Sequence, residues 1–167
     1  MVKITMRGCV DASLIAPDGR VERVVHGANT LLFNCADAVA GLFGGLFVNR
    51  PAIVGFVHAP DESRAASFDF TADDRTARTQ EELVGTGLQV HDQYIDNNRR
   101  YEASGPEYFG NVVTFSAARP GIDAVSYVYG VLLKDASGKV LAVKRFPEPV
   151  VQNAGYAFSV SWAVTFI

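Results

Sequence analysis

The chain has 167 residues, a formal net charge of −3 and 49% hydrophobic against 20% charged residues. This is the balance of one globular domain, and it excludes wholesale disorder and a general affinity for nucleic acid. No apolar run approaches the roughly 18 residues of a membrane helix, the opening Met-Val-Lys-Ile-Thr-Met-Arg lacks a signal-peptide core, and two cysteines make no disulfide framework. The expectation is a soluble protein made in a reducing compartment.

The chain begins with an alternating run in which Ile4, Met6, Gly8 and Val10 oppose Lys3, Thr5, Arg7, Cys9 and Asp11. Period two predicts a half-buried strand. Turn chemistry follows at Ala16-Pro17-Asp18-Gly19-Arg20, and a second alternating run from Val21 completes a hairpin. A helix is predicted near residues 30–43. Asn29 or Thr30 would cap it, Leu31, Leu32, Cys35, Val39, Leu42 and Phe43 recur at helical spacing, and Gly44-Gly45 would end it. Almost all its residues are apolar, which predicts burial on most sides. Pro51 to Ala59 reads as a short, β-branched, buried strand that stops at Pro60-Asp61-Glu62-Ser63.

Nearly half of the charged residues lie between Asp61 and Glu102. This stretch reads as an excursion inserted in a single domain of residues 1–167, with a short helix near Thr79–Val84 and a tight turn at Asp96-Asn97-Asn98-Arg99 between two short strands. It is either a solvated loop or an arm that orders against a neighbouring subunit. Its apolar anchors and arginines suit the second role. The candidate partner-binding residues are Phe68, Phe70, Arg75, Arg78, Tyr94, Arg99, Arg100 and Tyr101. Replacing residues 62–100 by a Gly-Ser linker is then expected to leave a folded sandwich that no longer assembles.

The C-terminal third is β throughout. Strands are predicted over 112–117, 125–134, 140–146 and 157–166, with a loop at Asp135–Lys139 and a turn at Pro147-Glu148-Pro149. In the last strand Phe158, Val160, Trp162, Val164 and Phe166 oppose Ala157, Ser159, Ser161, Ala163 and Thr165. A large apolar face behind a small polar one marks a sandwich strand. The predicted fold is mainly β, a jelly-roll-like β-sandwich with one buried helix and a long charged arm.

Motifs for chemistry are sparse. His26, His58 and His91 lie in separate segments without metal-ligand spacing, the nearest grouping being His58 with Asp61 and Glu62. All three read as structural or surface residues. Cys9 and Cys35 read as small hydrophobes, and Asp61-Glu62, Asp73-Asp74 and Glu81-Glu82 as solvated charge. Gly41, Gly44 and Gly45 follow a helix and lack the lysine of a phosphate loop. No catalytic residue, cofactor or metal is expected. Arginines outnumber lysines 11 to 4, and with the tyrosines they favour protein–protein contact.

The order of the elements resembles a known group. A glycine-ended helix (Asn29-Thr30-Leu31-Leu32 through Gly44-Gly45) follows a hairpin. Then come the strand Ile53-Val54-Gly55-Phe56-Val57, a charged excursion, and the closing segments Val131-Leu132-Leu133, Leu141 to Pro147 and Ser161-Trp162-Ala163-Val164-Thr165-Phe166. This resembles small virion structural proteins of tailed bacteriophages. The resemblance implies a capsid cement or decoration protein, or a collar or tail component, made in the host cytoplasm and located in the virion. Its partners would be the major capsid protein or tail and collar subunits and copies of itself, with neither nucleic acid nor membrane involved. Two other classes fit the predicted architecture. One is a β-sandwich binding module for a carbohydrate or small ligand. The other is a small metal-dependent jelly-roll enzyme, in which His58 would converge with Asp61, Glu62 or His91.

Overall fold

The computed structural model describes residues 5–46, 50–63, 68, 74–95 and 112–166. Eight strands and two helices follow in the order β1 (Met6–Ile15), β2 (Val21–Leu31), α1 (Phe33–Phe43), β3 (Pro51–Ala59), α2 (Gln80–Leu83), β4 (Gln89–Tyr94), β5 (Val112–Arg119), β6 (Ser126–Asp135), β7 (Val140–Gln152) and β8 (Ala157–Phe166). The strands join edge to edge as β4-β3-β6-β7-β2-β1-β8-β5, every pair antiparallel. The sheet folds back on itself, so that β3 and β4 come to lie against β5 at its other end. The fold is mainly β and sandwich-like, as the alternation in the sequence predicts.

The fold-back happens in β2. Its first nine residues, apart from the bulged Val24, pair with β1, and then Thr30 and Leu31 pair with Val143 and Ala142 of β7. One strand thus belongs to both layers. Between the layers sits the main core, built from alternate residues of both: Val10, Ala12 and Leu14 of β1, Phe56 of β3, Val131 and Leu133 of β6, Phe146 of β7, and Phe158, Val160, Trp162 and Val164 of β8. Phe158 anchors it, edge-on to Phe56 at 5.8 Å and stacked on Phe146 at 6.0 Å.

A second cluster covers the outer face of the β3–β6–β7 layer. Val57, Leu132 and Val143 meet Leu32, Phe68 and Leu83 there. This layer is therefore buried on both faces, and β6 shows the near-continuous apolar run that such a position demands. Gly130 sits where the backbone of β7 and the ring of Phe68 close in. A Cβ there would fall against the Lys144 carbonyl oxygen and 2.5 Å from Phe68 Cε1.

Three expectations need correction. The helix does not begin with a cap from Asn29 or Thr30. Both residues belong to β2, and Leu32 takes the cap position with no side-chain bond. Tertiary contacts hold this helix end instead: Phe33 N–H donates to the Arg75 carbonyl at 2.8 Å, and the Asn34 amide donates to the Val140 carbonyl at 3.1 Å. Secondly, Pro147-Glu148-Pro149 does not reverse the chain. β7 runs on to Gln152, and its register against β6 slips between Val128↔Val150 and Gly130↔Arg145. The prolines lie in this bulge, beyond the point where β7 leaves β2, so no ladder bond needs their missing N–H.

The third correction concerns the charged excursion, whose described part is built into the sandwich. α2 forms where predicted, with a capping box: Thr79 N–H donates to Glu82 Oε2 at 2.8 Å and Glu82 N–H to Thr79 Oγ1 at 3.3 Å. β4 pairs with β3 from Ile53↔Tyr94 to His58↔Gln89. Phe68, Leu83, Val84 and Ile95 are all buried. Lys134, itself buried, reaches from β6 to Asp92 of β4 at 2.7 Å and to Gln80 of α2 at 2.6 Å. Replacing residues 62–100 would remove these groups, so it would damage the fold itself. The turn predicted at residues 96–99 lies outside the described residues.

Candidate functional site

The apolar end of α1 projects from the sandwich. Only Cys35 and Gly41 of this helix are buried. Burial on most sides, expected from its composition, is not what the fold provides. The termination is the predicted glycine device. Gly45 takes φ 73°, Leu46 N–H donates to the Gly41 carbonyl at 2.8 Å, and Gly45 N–H donates to the Leu42 carbonyl at 3.2 Å. That turn presents Leu42, Phe43 and Leu46 to solvent, 55%, 78% and 67% exposed. At the other end of α1, Phe33 is 53% exposed and lies under the Arg75 guanidinium, 5.5 Å from ring centroid to carbon.

The structure scatters the predicted partner-binding residues. Phe68 is fully buried in the second cluster, which removes it from any contact surface. Arg75 is committed to the β2–α1 junction, its Nε donating to the Leu31 carbonyl at 2.8 Å. Arg78 pairs with Asp74 at 2.8 Å. Tyr94 is 74% exposed on the edge strand β4. Phe70, Arg99, Arg100 and Tyr101 lie outside the described residues.

A buried polar network closes one end of the sandwich. Arg119, at the end of β5, is 6% exposed. It donates to Ser126 Oγ at 3.1 Å, to Gln152 Oε1 at 3.0 Å and to the His58 ring at 3.3 Å. Gln152 in turn donates to the Tyr156 carbonyl at 2.7 Å. The network ties β3, β5, β6 and β7 across the two layers. No carboxylate among the described residues pairs with this guanidinium, and burial pulls its pKa down. His58 is pushed down to about 4, chiefly by burial and then by the charges of Arg119 and His91. A neutral imidazole can accept from Arg119; a protonated one would face it as a second cation. His58 therefore answers to Arg119 and Ser126, and among the described residues it joins no metal-ligand trio with Asp61, Glu62 or His91, the convergence the metal-enzyme reading required.

Cys9, Asp11 and His26, read separately in the sequence, come together on the outer face of β1 and β2. One potential ligand atom from each lies within 4.8 Å of the other two, and this is the one such trio among the described residues. His26 Nδ1 is 2.6 Å from Asp11 Oδ1, and Arg23 Nε is 3.5 Å from the same oxygen. Cys9 and His26 line a groove of about 490 Å³ whose walls include Asn29 and Arg75. Short metal spacing in the sequence does not show this trio, because His26 reaches it across the hairpin. The usable signal was the hairpin itself, which places residues near 10 opposite residues near 26.

No protein-family model and no curated protein matches the chain. Among solved structures, the metal-free form of lectin I-B4 from Griffonia simplicifolia is similar at 11% identity over 99% of this chain and 73% of that one, with a TM-score of 0.14. At that score the likeness carries no argument about fold or ligand. No helix among the described residues is long and apolar enough to cross a membrane.

Proposed function

We propose that the chain is a non-enzymatic structural subunit of a tailed-phage virion, a β-sandwich that binds neighbouring virion subunits and stabilises the particle. A capsid cement or decoration position is favoured over a collar or tail one. The observation that carries the binding role is the projecting end of α1. An apolar group of this size, held out by a well-formed glycine cap rather than tucked onto the sandwich, fits an apolar recess of a partner. The virion setting rests on the order of elements that resembles the phage proteins.

Magnitudes shape the mechanism. Fully burying one Leu or Phe contributes about 1.5–3 kcal/mol, so Leu42, Phe43 and Leu46 together supply a modest anchor. Stable interfaces bury about 800 Å² per partner, more than three side chains provide. The helix end thus acts as one contact among several, with the exposed Tyr94 on the edge strand β4 available to another neighbour. Repetition over a symmetric particle then multiplies weak contacts into durable attachment. The test is the mass of the purified protein in solution, followed by co-sedimentation with particles of the phage that encodes it. Saturable binding at a fixed ratio to the major subunit supports the reading. Absence of the chain from purified particles refutes it.

A further inference from the structure

The convergence of Cys9, Asp11 and His26 depends on one irregularity. Leaving the turn, Ile15 pairs with Val21, Leu14 with Glu22 and Ser13 with Arg23. Continued without interruption, this register would put Asp11 opposite Val25 and His26 opposite Val10. Since residues directly opposite share a face, His26 would then point to the core side with Val10. A bulge between Ala12 and Ser13 takes up Val24 as an extra residue, so Asp11 faces His26 and Cys9 faces Ala28. The bulge re-aims the imidazole onto the outer face, where the i, i+2 spacing of a strand already holds Cys9 and Asp11 together.

We propose that Cys9, Asp11 and His26 form a binding site for a divalent transition metal of the zinc class. The trio offers one thiolate, one imidazole and one carboxylate, the three ligand types zinc uses. A thiolate selects zinc or cobalt over magnesium or calcium. With bonds of about 2.0–2.3 Å, tetrahedral ligand atoms stand about 3.2–3.8 Å apart. Cys9, within 4.8 Å of the other two, needs to draw in by up to about 1 Å, while His26 Nδ1 and Asp11 Oδ1 need to open by about 0.6 Å. His26 Nδ1 and Asp11 Oδ1 are already neighbours in a 2.6 Å hydrogen bond; the metal replaces the proton between them, which leaves to solvent or moves to His26 Nε2. Cys9 loses its thiol proton to solvent as the sulfur–metal bond forms, so uptake releases protons and strengthens as pH rises. Cys9 and His26 line the groove on this face, and a fourth position opens into it. Water fills that position. Arg23, 67% exposed, swings off Asp11 on binding.

Cobalt reports the site directly. Titrating the reduced full-length protein with Co²⁺ at micromolar concentration should develop a four-coordinate visible spectrum with near-ultraviolet thiolate charge transfer at one metal per chain, and Zn²⁺ should bleach both. Cys9→Ser should abolish the charge-transfer band, while His26→Gln and Asp11→Asn should each weaken binding by at least about tenfold. Cys35→Ser, which changes the buried thiol of α1, should leave the spectrum unchanged. Zinc should raise the melting temperature of the wild type and of Cys35→Ser but not of Cys9→Ser, whose unaltered circular dichroism shows that it folds. The proposal is overturned if no charge-transfer band forms, if the band survives Cys9→Ser, or if six-coordinate cobalt appears only at millimolar metal.

Discussion

Lowering the pH should weaken the fold through His58 in a range that can be isolated. Folding holds this imidazole neutral, with its pKa down from 6.5 to about 4. The unfolded chain therefore takes up a proton near pH 6.5 that the folded chain refuses until about pH 4. The stability owed to the neutral ring is fully present above pH 6.5, falls progressively from there, and is gone near pH 4. A shift of that size corresponds to at most about 3 kcal/mol. Because the ring is only partly withdrawn from water, screening reduces this to about 1–2 kcal/mol. The perturbation is His58→Gln, whose amide still accepts from Arg119 but does not titrate. Urea unfolding of wild type and variant at a series of pH values from 7.5 to 4.5 cancels the carboxylates common to both. The variant should gain about 1–2 kcal/mol on the wild type across that range. A constant difference at all pH values would mean that His58 does not sit against Arg119 as a neutral acceptor.

Other consequences follow from the core and from the close approach at β6. Trp162 is fully buried at the centre of the main cluster, so Trp162→Ala should cost about 3–5 kcal/mol in chemical unfolding; a loss below about 1 kcal/mol would contradict the assigned face. Gly130→Ala should cost about 1–3 kcal/mol, because the new methyl meets backbone on one side and a packed ring on the other. Gly138→Ala should also destabilise, but only through its φ of 89°, since nothing lies within reach of the added methyl; a smaller loss than at Gly130 is the expected order. Leu42→Ser with Phe43→Ser should leave the unfolding midpoint nearly unchanged, because both side chains already face water.

Local chemistry made several elements legible. The alternation of Phe158 to Phe166, the β-branched run of β3, the glycine stop of α1 and the Thr79–Glu82 capping box each encode their structure within a few residues. What failed depended on distant partners. The proline pair read as a turn because the sequence does not say that β7 has already parted from β2 there. A short strand before the Asp96–Arg99 turn was legible and is β4, but its place beside β3 was not, because its anchor, Lys134, lies some forty residues away in β6. The helix read as buried because apolar composition is the same whether the cover is this chain or another. The Cys9–Asp11–His26 trio needed a bulge that neither flanking strand announces.

The central claim is that the projecting end of α1 fastens this subunit to its neighbours. Quantitative mass spectrometry of purified particles, grown with either the wild-type chain or the Leu42→Ser, Phe43→Ser double variant, tests it most directly. The wild type should be present at a fixed ratio to the major subunit, and the folded double variant should fall at least about tenfold below it, the loss of about 1.4 kcal/mol or more at each attachment. Incorporation of the double variant at the wild-type ratio would show that attachment lies elsewhere on the sandwich.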